Sequence, residues 1–436
     1  MFAMHRDGEG NITKEINPNF YHPGEKDGTG IEYRYDADDR LCLSIYPDGG
    51  KERRWYDAAG NLTGLCRPEQ YHEKEDTGEG FSYEYDAGNR LVQITEPDGK
   101  IRKRYVYDLH GNICKVISAK GMETGETDEE RIGELYTYNY VGWLMESRIP
   151  VRVEEGKALY LLTRYRYDKA GNRTEEKRYN DYQTAESTAG TVLTIRYEYD
   201  KDDRLIKVTD STGAVLEYGY DSQNRRVSES RKISDTACQT FRYRYDAAGR
   251  MTELHRTADR EGSGRRSVTV RYEYDRNGNM TSTILPSGAE ILREYDPADR
   301  LVTEIHVDKE SSIHNTTRFA YDKAGNLTCI TDNQGRNTLI EYDAMNREMR
   351  RTEKDGSVTR NFYNRNGQLV KTIRPNAYAE SQEQGAGLQY TYDAEGRIVT
   401  VIRPDGTIQE NSVYDEEGNL IQTTDAAGSR IRYTYD

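Results

Sequence analysis

Asp and Glu supply 76 of the 436 residues, and paired carboxylates are the common machinery of hydrolytic acid–base chemistry. Their placement points elsewhere. Asp36, Asp86, Asp246 and their equivalents stand at one fixed position after a tyrosine, again and again along the chain. A catalytic pair needs a singular environment that drives two acidities apart. Repeated, equivalent positions describe turn formers. The stretch 275–279, "DRNGN", resembles half a calcium loop but lacks the ligand number and distal Glu of an EF-hand. The seven histidines show neither HxxxH nor HExxH spacing. "HRD" at 5–7 has no glycine-rich loop or D-F-G to make it a kinase element. Cys42, Cys66, Cys114, Cys238 and Cys329 are odd in number and contain no CxxC, which argues against a disulfide framework or a zinc site. The expectation is no catalytic, cofactor-binding or metal-ligating residue, no cofactor, and no enzyme.

Tyrosine is the other chemically able residue. The chain has 36 Tyr against 6 Phe and 2 Trp. Exposed tyrosine ladders beside Asp, Asn and Arg can stack on sugars, so a carbohydrate-binding or cell-surface adhesion module is the alternative function. Tyrosines spread evenly suit a structural ladder better than a local glycan site. Asn11, Asn61, Asn172, Asn279, Asn315 and Asn326 lie in N-x-T sequons, which matter only on a eukaryotic secretory route.

What positions these residues is a repeat. Tyr followed by Asp or Asn recurs from Tyr35 to Tyr435 in seventeen copies, fifteen of them Tyr-Asp; Tyr138-Asn139 and Tyr363-Asn364 are the variants. Three residues beyond the Asp the chain holds only Gly (60, 111, 142, 171, 249, 278, 325, 367, 396, 418), Asn (89, 224, 346) or Asp (39, 203, 299). These residue types accept a backbone with φ > 0, and D-x-x-[G/N/D] reads as a hairpin loop built on a type I turn. The next position is Arg or Asn in all but two copies, and every copy with Asn or Asp in the φ > 0 column carries Arg there. An apolar residue such as Leu41, Leu62, Ile113 or Leu420 follows, then a β-rich run and a second turn, "PDG" at 47–49, 97–99 and 404–406. The chain then returns to Tyr-x-Tyr, which sets both rings on one face of a strand. Each unit is two strands of about eight residues and two turns. The extra residues of the longer units, such as 67–80 and 120–134, replace the Pro-Asp-Gly turn, so long acidic loops are expected along one edge of the sheet.

Only 34% of residues are hydrophobic, so little apolar volume exists to fill a solid interior. A net charge of −14 argues against nucleic acid or an anionic membrane as partner. No apolar run is long enough for a membrane span, and "MFAMHRDGEG" is no signal peptide. More than thirty antiparallel strands cannot stay in an open flat sheet, because strongly twisted sheets rarely exceed ~10 strands without curling. The expected fold is all-β: a long antiparallel hairpin meander coiled into a hollow spiral shell or barrel, in one continuous array over 1–436 that is cut at both ends.

Y-x-Y-D-x-x-G-[N/R]-L with a Pro-Asp-Gly turn resembles the YD repeat, or RHS repeat, of bacterial Rhs polymorphic toxins, wall-associated proteins, the shell subunits of insecticidal toxin complexes, and teneurins. The resemblance covers residues 6–436. It implies a β-shell enclosing a cavity, secreted or at the cell surface with its parent protein. In bacterial members a C-terminal toxin or effector polypeptide is held inside until delivery to competitor or host cells. The chain departs from the family in showing no PAAR-like segment and no self-cleaving D-P-x-G core; "DPAD" at 296–299 is an ordinary repeat loop. Self-cleavage and toxic chemistry are therefore not expected.

Overall fold

The computed structural model describes residues 3–22, 28–154, 157–179, 192–234, 237–260, 264–308, 313–379 and 385–435. Within them one sheet of 35 strands runs from Ala3–Arg6 to Arg430–Arg432, each strand antiparallel to the next in sequence. A small hairpin, Tyr71–His72 with Thr77–Gly78, branches from one edge. Among the described residues helix is confined to Ala119–Met122 and two 3-10 turns, Pro18–Phe20 and Pro375–Ala377.

The loop at 36–40 shows how the repeat is made. The N–H of Asp39 donates to the Asp36 carbonyl (3.2 Å), and that of Asp36 to the Arg40 carbonyl (3.0 Å). The Asp36 carboxylate accepts from the N–H groups of Asp38 and Arg40, at 3.0 Å each, as an Asx-turn does. Every residue of the Gly/Asn/Asp column is left-handed: φ is 59° at Asp39, 60° at Asn89, 62° at Asn224, 91° at Gly60 and 84° at Gly249. A Cβ at Gly249 would meet nothing within 4 Å, so only backbone strain opposes substitution there. Gly249→Val is expected to lower stability by more than ~1 kcal/mol in urea unfolding and Gly249→Asn by much less, because Asn tolerates this conformation and a β-branched residue does not.

Two features differ from the sequence expectation. Strands of compact units are five to seven residues long, as in Leu41–Ile45, Lys51–Tyr56 and Ile101–Tyr107, because a β-bulge just after each D-x-x-[G/N/D] loop, at Cys42 and Thr63 for instance, takes residues from the ladder. Several long insertions are also protruding hairpins rather than loops. Glu146–Glu154 pairs with Lys157–Arg164, and Glu253–Arg260 with Gly264–Arg271. Their residues, "IPVRV" and "ALYLL" for instance, favour strands and carry the ladder outward. The insertions at 67–80 and 119–133, broken by Pro and Gly, stay compact.

Fully buried apolar side chains are few, and they gather where the compact insertions leave the sheet. Ile16, Cys66, Ile117 and Ile373 are each 0% exposed and each stands just before an insertion. Most other strand residues, the tyrosines included, are half-buried. The ribbon also coils. Its turn edge at 17–120 touches its loop edge at 322–417, through contacts between residues 296 to 329 apart in sequence. One turn of the spiral therefore takes 296 to 329 of the 436 residues.

Candidate functional site: the tyrosine ladder and the seam between turns

The second tyrosine of every copy does the same thing. Tyr35 donates to the Ile12 carbonyl (2.8 Å), Tyr107 to Leu91 (2.7 Å), Tyr138 to Ile113 (3.0 Å), Tyr245 to Arg226 (2.7 Å) and Tyr435 to Leu420 (2.8 Å), and the other twelve follow suit. The acceptor is always the residue just after the preceding copy's loop, where the bulge of its own strand begins. The hydroxyl thus satisfies a carbonyl that the disrupted ladder leaves unpaired, which Phe cannot do. Burial pushes the Tyr138 phenol upward.

Beside the ladder runs a chain of charged bonds. Arg90 Nε donates to Asp86 Oδ2 at 2.7 Å, and this side-chain bond, with the Arg90 backbone N–H, holds the Asp86 carboxyl below the usual range. At Asp332 the bond from Arg336 pushes the carboxyl down to about 2. The arginines also reach forward: Arg40 to the Asp57 carbonyl (3.0 Å), Arg225 to Asp246 (3.0 Å) and Arg250 to Asp275 (2.6 Å), each lying over the next copy's tyrosine ring. Asn in the same position is too short for that. It meets instead a side-chain oxygen of the next loop: Asn61 to Asn89 (3.0 Å), Asn172 to Asp203 (2.7 Å), Asn279 to Asp299 (2.7 Å) and Asn326 to Asn346 (2.9 Å). In most copies this accounts for the choice in the φ > 0 column, Gly after an Arg copy and Asn or Asp after an Asn copy; Asn112 before Gly142 and Arg204 before Asn224 are the exceptions. That choice answers the preceding copy, a correlation visible only when consecutive repeats are compared. Five sequon asparagines are engaged in these loops, which leaves the turn role as their structural occupation.

The seam is polar. Asn17 Nδ2 donates to the Ala344 carbonyl and to Asn346 Oδ1, both at 3.0 Å, and Asn19 binds Asp322 Oδ2 (2.8 Å) while accepting from the Ala324 N–H (3.2 Å). Arg67 donates to the Glu395 carbonyl (3.2 Å), Glu69 accepts from the Arg365 N–H (2.7 Å), and Arg347 pairs with Asp48 (3.3 Å). Farther along, Ser118 meets Glu417 (2.9 Å) and Lys100 meets Glu416 (3.0 Å). Glu96, Asp98 and Glu395 bring carboxylate oxygens within 4.8 Å of one another across the seam. Burial, then the charge of Glu395, pushes Glu96 upward. Arg102 lies 3.7 Å from Glu96 and Arg397 3.0 Å from Glu395, so the cluster is partly neutralised by its own arginines.

Comparison with known proteins agrees with this geometry. Residues 220–373 match the family described as Teneurin YD-shell, and residues 56–101, 199–237, 363–408 and 414–436 match the RHS Repeat. No curated protein matches the chain. A crystal structure of TcdB2-TccC3 without its hypervariable C-terminal region is similar over 97% of this chain and 24% of its own, at 14% identity and a TM-score of 0.60. One of TcdB2-TccC3-TEV is similar over 99% and 24%, at 16% identity and a TM-score of 0.49. The chain spans about a quarter of the length of these structures. It belongs to the YD-repeat, or RHS-repeat, family, and its fold is that of a structural β-shell. No helix among the described residues is long and apolar enough to cross a membrane.

Proposed function

We propose that residues 1–436 are one continuous segment of a containing shell, which encloses and protects a C-terminal toxin or effector polypeptide of its parent protein for delivery to competitor or host cells. The observation that carries this reading is the spiral itself: a ribbon one sheet thick, wound edge against edge, with too few buried apolar side chains for a filled interior. A half-buried wall of Tyr, Arg and Asp offers many weak polar contacts to an unfolded chain and no single strong one. In this role the segment does no catalysis, binds no cofactor, and travels with its parent to the cell surface or outside.

The adhesion alternative draws less support. The second tyrosine of each copy spends its hydroxyl on a backbone carbonyl, and in copies such as those of Tyr56, Tyr220 and Tyr274 an arginine already lies over the ring face on which a sugar would stack. The test is to express the array with its natural flanking segments and C-terminal domain and then add protease. The C-terminal domain should survive while the shell is intact and be degraded once the shell is opened by denaturant. Prompt degradation inside an intact shell would overturn containment.

A further inference from the structure

Carboxylates at the seam find donors on the opposite turn of the spiral, with one exception. Asp322 accepts from Asn19 (2.8 Å), Glu69 from the Arg365 N–H (2.7 Å) and Glu416 from Lys100 (3.0 Å). Asp48 meets Arg347 (3.3 Å), and Glu417 Oε1 accepts from Ser118 Oγ (2.9 Å) and the Lys120 N–H (3.1 Å). Glu96 and Glu395 instead face each other. Their carboxylate oxygens, with one of Asp98, lie within 4.8 Å of one another.

The pair joins two rigid pieces of backbone. Glu96 opens the Pro-Asp-Gly turn at 96–100, closed by its N–H to the Lys100 carbonyl (2.8 Å). Glu395 is the tip of the loop at 393–397, a place held by Ala324 and Asn366 in other seam loops. Asp98 is exposed, but the side chains of Glu96 and Glu395 are only 11% and 12% exposed. Two like charges so far out of water repel each other with little screening.

The cations around them leave one oxygen unserved. Arg397 divides itself between Asp393 Oδ2 (2.6 Å) and Glu395 Oε2 (3.0 Å). Arg67 donates to the Glu395 carbonyl (3.2 Å), and Lys100 is taken by Glu416. Arg102 stands 3.7 Å from Glu96, beyond hydrogen-bond reach. Glu395 Oε1 is closed off from water and has no hydrogen-bond partner among the described residues. A buried oxygen without a donor is destabilising, and the Glu96 carboxyl becomes a donor once it is protonated.

We propose that Glu96 and Glu395 form a proton-operated latch across the seam. Protonated Glu96 donates to Glu395 Oε1 and ties the turn at 96–100 to the loop at 393–397; with both ionised, the pair repels and this stretch of seam loosens. Burial, then the charge of Glu395, already pushes Glu96 upward from the ordinary 4.5. The wound chain therefore holds this proton after an unwound one has released it. The latch is fully closed below 4.5 and is lost as pH rises through the raised value, so the seam is tighter in mild acid than at neutral pH. The latch concerns the wall alone and stands whether or not the wall encloses anything.

Hydrogen exchange of the full chain, corrected for the intrinsic rate at each pH, tests this. Protection of 96–100 and 393–397 should fall roughly threefold or more between about pH 5 and about pH 7.5, while the loop at 246–250, away from the seam, holds steady. Glu96→Gln carries a permanent donor and should stay protected at both pH values. Glu395→Gln removes the repulsion from the other side and should flatten the profile too. Circular dichroism of both variants should match the parent. A flat profile in the parent would overturn the latch, as would a slope that both variants keep. Calcium chloride restoring protection at neutral pH where acid does not would also overturn it, by making the cluster a cation site.

Discussion

Gly30→Ala should destabilise the first repeats by about 3 kcal/mol, the upper part of the range for overpacking a tightly packed site. A Cβ at Gly30 would lie 2.0 Å from the Glu15 carbonyl oxygen and 2.7 Å from the Ile16 Cα. Both obstacles are backbone, so no rotamer change relieves them. Gly80, Gly133 and Gly387 stand in the same relation to the carbonyls of Leu65, Val116 and Thr372, at 2.3, 2.4 and 2.6 Å. Each glycine lets the chain return from an insertion and rejoin the sheet directly over the strand it left. Gly8→Ala is the control, since nothing lies within 4 Å of that Cβ and its φ is not positive. Urea unfolding followed by circular dichroism should separate the two, with an early transition in Gly30→Ala and none in Gly8→Ala. Equal stability of the two variants would contradict the close approach.

Tyr138→Phe should cost about 1–3 kcal/mol, because the Ile113 carbonyl would keep its place at the bulge and lose its donor. Phe keeps the ring and its packing, so the measured loss isolates the hydroxyl. Away from the seam, contacts in such an array reach only neighbouring repeats, and losses at well-separated copies should add. Tyr138→Phe combined with Tyr321→Phe, whose bond is to the Leu301 carbonyl (2.8 Å), should approach the sum of the single changes in hydrogen-exchange protection or urea midpoint. A neutral Tyr138→Phe would mean that water replaces the hydroxyl at no cost.

The sequence showed the loop chemistry because a φ > 0 column writes its demand directly into residue type: Asp39, Asn89 and Gly60 can share a position only for conformational reasons. The all-β meander followed from the alternation and from the absence of helical period. The acceptors of the tyrosine hydroxyls were not legible. They lie 15 to 26 residues upstream, and they depend on a bulge that residue types do not announce. The answer of Asn89 to Asn61 was present in the letters, but only in the comparison of one copy with the next. The same holds for G-x-x-Y-x-Y at Gly30, Gly80, Gly133 and Gly387, a pattern confined to copies with a compact insertion. The hairpin at 144–167 departs from the long loops expected of extended units because its extra residues, although they replace a turn, are of strand-favouring type. The seam was out of reach altogether. Its pairs are set by the sum of small rotations over some three hundred residues, and no local pattern encodes that sum.

Strictly sequential pairing has a kinetic side. Each strand needs only the one made just before it, so the ribbon can grow as the chain emerges, one hairpin at a time, with short loops to close and low contact order. The seam obeys another clock. Asn17 waits for Ala344 and Arg67 for Glu395, and until then the nascent wall is an open strip with its polar edge in water. On the containment proposed above, a polypeptide would be enclosed only as that edge meets its partner. The separation of 296 to 329 residues thus acts as a delay line between making the wall and closing it.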